Sequence, residues 1–176
     1  MKMIKLITLD LEGVFFDEPK NTYIKELAKY YNKSEAFIEK LLFEDAIKYG
    51  KYNEIKLGKI NSLVYWNWFF KQIGITGETA KNKANYLETA MSFYSINEQI
   101  TDLIKKLKKQ KIQIGLCSNN YKDKIEYLER SYNLSTYFDI MLFSYDIGYF
   151  KTDKEFFVKF LEITKLKPEE IVYSDN

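Results

Sequence analysis

The side chains able to do chemistry in this chain are carboxylates, lysines and hydroxyls, because the sequence contains no histidine and one cysteine. The absence of histidine excludes Ser-His and Cys-His nucleophilic catalysis as well as histidine-ligated metal sites. Cys117 lies in an apolar run, so we expect it to be buried and unreactive, in a reducing compartment. Any reaction therefore depends on Asp, Glu, Lys, Ser or Tyr.

Two acids lie close together near the N-terminus. Asp10 and Glu12 follow the apolar segment 3–9, and Gly13 comes directly after them. If strand geometry persists, both carboxylates point to the same side. One could attack phosphorus and form an aspartyl-phosphate, while the other protonates the leaving oxygen and then activates water. The competing interpretation is a strand followed by a polar turn, which the motif taken alone favours.

Further polar residues follow three later apolar segments. Ser118 and Asn119 come after the first of them, and the Ser118 hydroxyl could bind a phosphate oxygen or cap the next helix. Lys151 would supply a positive charge for phosphate and for the Asp10 carboxylate. Asp175 ends the last segment, where it could hold Mg²⁺ or serve as a turn residue.

The order of the apolar segments predicts an α/β fold. Helical periodicity extends from about Asn21 to Ser95, with Trp66, Phe69, Phe70 and Ile73 on one buried face that Ser62 would cap. Helices alternate with the later strands, which predicts a parallel sheet. The predicted strands cover residues 3–9, 112–117, 139–144 and the segment that begins at 171.

This arrangement places the polar residues at one edge of the sheet. Parallel sheets bind ligands at the carboxyl ends of their strands, and each candidate residue follows a predicted strand. We expect an α/β core formed by residues 1–16 and 96–176. The helical block, residues 17–95, would be an insertion after the first strand.

Four segments in this order resemble the signature motifs of the haloacid dehalogenase-like hydrolases. They are DLEGV (10–14), CSN (117–119), GYFKTD (148–153) and IVYSDN (171–176). The helical block, including LGKIN at 57–61, is similar to the cap of the branch with phosphoglycolate-phosphatase-like and dehalogenase-like enzymes. The resemblance implies a three-layer Rossmann-like core with a parallel sheet and an all-helical cap, over essentially the whole chain.

The resemblance also implies an activity and a set of site residues. The chain would be a Mg²⁺-dependent phosphatase acting on a small phosphorylated metabolite, with Asp10 as nucleophile and Glu12 as general acid and base. Ser118, Asn119 and Lys151 would bind the phosphate. The metal ligands would be the carboxylates of Asp10 and Asp175 and the backbone carbonyl of Glu12.

The sequence departs from the family pattern at three points. Glu12 replaces the usual Asp, which keeps the acid but lengthens the side chain by one methylene. Thr152 replaces the usual Pro after the lysine. The sequence ends at Asn176, inside the fourth motif, where family members continue with another helix and strand, so two alternatives stay open: an incomplete sheet edge, and a fragment or truncated form.

Two other functions fit the same motifs. A 2-haloacid dehalogenase uses the same aspartate without Mg²⁺, but those enzymes lack an acid at the position of Glu12. A non-catalytic binding or regulatory protein would keep the fold without turnover. A phosphoacceptor receiver domain also uses strand-end Asp, Ser/Thr and Lys, but the long helical insertion does not fit it.

The net charge and the N-terminal segment of the chain limit which partners and which location we expect. The formal net charge is +2, which gives no reason to expect nucleic acid or an anionic membrane as a partner. The N-terminal segment is too short and too charged for a signal peptide. We therefore expect a cytoplasmic monomer or homodimer.

Overall fold

A four-stranded parallel sheet forms the centre of the molecule. The computed structural model describes residues 3–17 and 20–175, and the side chains of all of these except residues 20 and 21. Asn176, the last residue of the predicted fourth motif, lies outside the described residues. The strands are β1 (Leu6–Leu9), β2 (Phe16–Asp17), β3 (Ser95–Ile96), β4 (Gln113–Ser118), β5 (Ile140–Phe143) and β6 (Ile171–Ser174).

The strand order in the sheet is β5-β4-β1-β6, and each neighbouring pair is parallel. Buried side chains line both faces of the sheet, as in parallel sheets covered by helices on each side. β1 lies between β4 and β6, so its carboxyl end is next to the ends of both neighbours. The predicted α/β fold with a parallel sheet is therefore confirmed.

Helices occupy most of the remaining chain. They are α1 (Lys20–Tyr31), α2 (Glu35–Glu39), a π-helical stretch (Lys40–Asp45), α3 (Ala46–Lys48), α4 (Lys51–Lys56), α5 (Ser62–Gln72), α6 (Thr79–Met91), α7 (Glu98–Lys109), α8 (Lys122–Tyr132), α9 (Ser144–Ile147) and α10 (Lys154–Thr164). Within the described residues, none of these helices is long and apolar enough to cross a membrane.

The predicted aromatic face of α5 is buried as expected. Trp66, Phe69 and Phe70 are each at most 2% exposed, and their rings contact one another and Tyr86. The predicted N-cap residue of α5 is wrong by one position. The Asn61 side-chain oxygen accepts the Leu63 N–H at 2.8 Å, and Ser62 is the first residue of the helix.

A two-stranded antiparallel ribbon, β2 with β3, was not predicted. Phe16 pairs with Ile96 and Asp17 pairs with Ser95. The ribbon lies where the chain leaves the sheet for helices α1 to α6 and where it returns. Each strand has two residues, which is too short to leave an alternating pattern in the sequence.

Asp123 connects α8 to the inserted helices. Its carboxylate accepts hydrogen bonds from Ser62 (2.5 Å) and the Trp66 indole N–H (3.0 Å). It also pairs with the Lys83 ammonium at 2.6 Å, and Asp123 itself is 7% exposed. A buried carboxylate with three partners is costly to disrupt, so this residue fixes α5 and α6 against α8.

We predict that Asp123→Asn lowers the free energy of unfolding by about 2 kcal/mol, because the variant loses one buried ion pair. Urea unfolding would measure this change. The matched control is Asp102→Asn, which breaks the exposed pair with Lys105 and should change stability much less than Asp123→Asn. Equal effects of the two substitutions would contradict the connecting role of Asp123.

The same residue predicts a pH dependence of stability. Burial acts to raise the pKa of Asp123, but Lys83, Ser62 and Trp66 outweigh it, so the pKa in the folded protein is lowered. A depressed carboxyl pKa stabilises the fold above the unfolded value of about 3.9, and this contribution is lost as the pH falls through the folded pKa. The stability difference between wild type and Asp123→Asn should therefore shrink below about pH 4. A difference that grows on acidification would contradict this.

Candidate active site

Lys151 joins two carboxylates at the carboxyl ends of the strands. Its ammonium lies 2.8 Å from Asp10 Oδ2 and 3.1 Å from Asp175 Oδ2. Asp10 directly follows β1, Asp175 directly follows β6, and Lys151 lies in the loop between α9 and α10. Residues separated by up to 165 positions therefore meet at one point because β1 and β6 are neighbours in the sheet.

The environment of Asp10 opposes its negative charge. Asp10 is 8% exposed, and burial raises the pKa of its carboxyl above the ordinary value, although Lys151 and the Leu11 N–H act in the opposite direction. The Leu11 N–H donates to Asp10 Oδ1 at 2.8 Å, which fixes the orientation of the carboxylate. Asp10 is thus desolvated and held in one position, as a nucleophile requires.

The carboxyl group of Asp175 ionises more readily than that of Asp10. Burial acts to raise the pKa of its carboxyl, but hydrogen bonds from Tyr173 and Asp10 and the charge of Lys151 lower it overall. The Tyr173 hydroxyl donates to Asp175 Oδ2 at 2.9 Å. Both carboxylates contact the same ammonium, that of Lys151.

The predicted phosphate ligands Ser118 and Asn119 lie at the same edge. Ser118 is the last residue of β4 and is 3% exposed. The Asn119 side-chain oxygen accepts the Lys151 N–H at 2.9 Å, so Asn119 positions the loop that carries the ammonium. This contact gives Asn119 a role that its position after a strand did not indicate.

Glu12 belongs to a second cluster beside the first. Its Oε1 accepts hydrogen bonds from the Lys124 ammonium and the Tyr94 hydroxyl, each at 2.5 Å, and Asn120 Nδ2 lies 3.4 Å from Oε2. Burial opposes the negative charge, but Lys124 and Tyr94 outweigh it and lower the pKa of Glu12 to about 2. Glu12 is therefore ionised, and its side chain points towards Lys124 instead of Lys151.

Sequence reasoning missed three members of this second cluster. Asn120 directly follows the predicted Ser-Asn pair, and Lys124 lies one helical turn later in α8, so a search of the first turn after the motif could have found both. Tyr94 lies just before β3, and no spacing in the sequence relates it to Glu12.

A small cavity of about 100 Å³ begins at Glu12. Core residues line one side and inserted helices line the other. The lining includes Glu12, Asn120 and Lys124 from the core and Tyr23, Lys56 and Tyr86 from the helices. Asp10 does not line this cavity, whereas Glu12, two residues later in the chain, does.

The carboxylates of Asp10 and Asp175 fit a Mg²⁺ ion. Both are hard oxygen donors at the same strand edge, and both already contact a cationic group, the Lys151 ammonium. Magnesium is bound in proteins by one or two carboxylates together with water and substrate phosphate, so two acids suffice. Within the described residues, no group of three or more acids, histidines or cysteines forms a denser metal site.

Comparison with known proteins identifies the family. The model of the haloacid dehalogenase-like hydrolases matches residues 4–174. The chain belongs to the haloacid dehalogenase-like hydrolases. An uncharacterized protein of Dictyostelium discoideum is 26% identical over 165 residues, which are 89% of this chain and 65% of that protein. This chain therefore spans less than two thirds of that relative.

Solved structures of this family share the fold. A HAD family enzyme of Bacteroides thetaiotaomicron has a TM-score of 0.76 at 22% identity, over 98% of this chain and 84% of that one. The same wild-type enzyme in complex with magnesium and inorganic phosphate gives 0.75 at 21% identity, over 97% and 83% of the chains. The L-2-haloacid dehalogenase of Xanthobacter autotrophicus, with chloropropionic acid covalently bound, gives 0.66 at 14% identity, over 97% and 69%.

Proposed function

We propose that this hydrolase is a magnesium-dependent phosphatase that cleaves a small phosphomonoester through an aspartyl-phosphate on Asp10. The observation that carries the proposal is the ammonium of Lys151, 2.8 Å from the carboxylate of Asp10. A cation beside the nucleophile offsets the repulsion between a carboxylate and an incoming phosphate. The magnesium and phosphate bound by the Bacteroides relative support the same chemistry.

In the first step, Asp10 Oδ2 would attack phosphorus as the bond to the leaving oxygen breaks. Lys151 and the Ser118 hydroxyl would hold the phosphoryl oxygens, and the Leu11 N–H would keep the carboxylate aligned. Asp10 and Asp175, with the backbone carbonyl of Glu12, would hold Mg²⁺, which neutralises phosphate charge when bound.

Glu12 would act on protons in both steps. Its pKa of about 2 keeps the carboxylate ionised in the described arrangement, which is the form that accepts a proton from water, but makes it a weak base while Lys124 and Tyr94 are bound to it. To protonate the leaving oxygen in the first step, it must first bind a proton. Movement of Lys124 or Tyr94 away from the carboxylate would raise its pKa and permit this.

We also propose that residues 17–95 act as a cap over the core formed by residues 1–16 and 96–176. The cavity lies between these two parts, and closure there would exclude water from the phosphoryl-transfer step. The cap would thus provide the contacts that select the leaving group.

Hydrolysis of phosphomonoesters by purified protein tests the proposal. We expect turnover with Mg²⁺, loss of turnover in EDTA, and recovery when Mg²⁺ is restored.

Asp10→Asn should abolish activity, because an amide cannot form the acyl-phosphate, while the cooperative unfolding transition is kept. Near-normal turnover by Asp10→Asn would contradict the nucleophile assignment. Metal-independent release of halide from a 2-haloacid would favour a dehalogenase.

The contribution of Lys151 can be measured separately. We predict that Lys151→Met lowers kcat/KM by about 10²-fold or more, because it removes the charge that stabilises the phosphoryl group in the transition state. Lys159→Met is the matched control, since Lys159 is on the exposed face of α10 and pairs only with Glu162 among the described residues. Similar activity in both variants would mean that Lys151 has no catalytic role.

A further inference from the structure

The cavity beyond Glu12 has a composition suited to an anion. Two lysines, Lys56 and Lys124, face it, and Glu12 is the acid in its lining. Glu12 already pairs with Lys124 at 2.5 Å. Lys56 makes no ion pair within the described part of the chain, and its ammonium lies 4.1 Å from the centre of the Tyr52 ring. The described lining of the cavity therefore carries two ammonium groups and one carboxylate.

The position of Lys56 is electrostatically unfavourable in the absence of a ligand. Burial and the nearby charge of Lys124 lower its pKa to about 8, although Glu12 acts in the opposite direction. A lysine that is desolvated and near a second lysine is stabilised by an anion placed between the two. The site thus has an electrostatic preference for a negatively charged group.

Tyrosine side chains line the same space. Tyr65, Tyr86 and Tyr121 line the cavity and are 3%, 4% and 7% exposed. Burial raises the pKa of Tyr86 and of Tyr121, so both hydroxyls keep their protons. A tyrosine hydroxyl can donate a hydrogen bond to a polar ligand.

The size of the cavity limits the ligand. Its volume of about 100 Å³ is well below the roughly 300–1,000 Å³ of sites for drug-sized molecules. A nucleoside or a sugar ring does not fit in such a space without rearrangement. A short aliphatic group with a charged end does.

We propose that this cavity binds a second anionic group of the substrate, so that the preferred substrate is a short phosphomonoester carrying a carboxylate or a second phosphate. Lys56 is the specificity-determining residue, and Lys124 and the three tyrosines supply further donors. This inference rests on the proposed phosphatase function, because the reacting phosphoryl group must be next to Asp10 for its leaving group to reach the cavity.

Three matched substrates test the inference. Propyl phosphate has a neutral leaving group, 2-carboxyethyl phosphate has a carboxylate, and ethane-1,2-diyl bisphosphate has a second phosphate. We expect wild-type kcat/KM to be at least about 10-fold higher for one or both of the doubly anionic compounds, the effect of one charge-assisted hydrogen bond. The better of the two identifies which anion the cavity accepts.

The lysine is tested by substitution. Lys56→Met should remove most of this preference, mainly by raising KM for the doubly anionic substrate, and should leave propyl phosphate hydrolysis within about 2-fold of wild type. Lys59→Met is the matched control, because Lys59 is exposed beyond the end of α4 and does not line the cavity. Its kinetics should equal those of wild type. Equal losses on all three substrates in Lys56→Met would overturn the subsite.

A binding measurement distinguishes the failure of this inference from the failure of the proposed phosphatase function. Titration calorimetry of Asp10→Asn with the same compounds and Mg²⁺ should show tighter binding of a doubly anionic compound, dependent on Lys56. If no phosphomonoester is hydrolysed by wild type but this preference persists, the phosphatase proposal fails and the subsite stands. If hydrolysis occurs without any preference for a second anion, in turnover or in binding, the subsite is wrong and the phosphatase proposal stands.

Discussion

The ammonium of Lys151 keeps two like charges together at the edge of the sheet. Asp10 and Asp175 are brought next to each other by the pairing of β1 with β6, and their mutual repulsion would oppose that pairing without a cation. Asn119 fixes the backbone of Lys151, so the neighbouring strand β4 also contributes to this arrangement. The order of strands in the sheet and the chemistry of its edge therefore depend on one another.

The charged side chains at this edge of the sheet form two clusters. Asp10, Lys151 and Asp175 form the first, and Glu12 with Lys124 forms the second. Adjacent residues of one loop thus have opposite protonation tendencies, since burial raises the pKa of Asp10 while Lys124 and Tyr94 lower that of Glu12. A nucleophile must be ionised and a general acid must carry a proton, so both shifts oppose the assigned roles until substrate binding changes the contacts of Asp10 and Glu12.

The sequence was sufficient to predict the sheet and its functional edge. Apolar segments ending in Asp10, Ser118 and Asp175 are recognisable because buried parallel strands are short and almost continuously apolar. The ribbon of β2 and β3 was not predictable, since two-residue strands carry no periodic signal. The N-cap residue of α5 was predicted as Ser62 instead of Asn61. Both residue types are good N-caps, and only the backbone conformation decides between them.

The part of the site contributed by the inserted helices could not be predicted. Tyr94 and Lys56 reach Glu12 and its cavity through tertiary packing that no local pattern encodes. A lysine on a helix is ordinarily a solvated residue, whereas Lys56 lines the cavity between the inserted helices and the core. Motifs at strand ends thus locate the candidate site, whereas the cavity beside it depends on contacts between distant elements.

The most direct test of the reaction centre is a crystal structure of the protein with Mg²⁺ and beryllofluoride, a mimic of the phosphoryl group. The account predicts beryllium bonded to a carboxylate oxygen of Asp10, with the Lys151 ammonium within hydrogen-bonding distance of a fluoride and Asp175 beside the metal. Beryllofluoride bound elsewhere, or Lys151 turned away from it, would contradict the central role assigned to this ion pair.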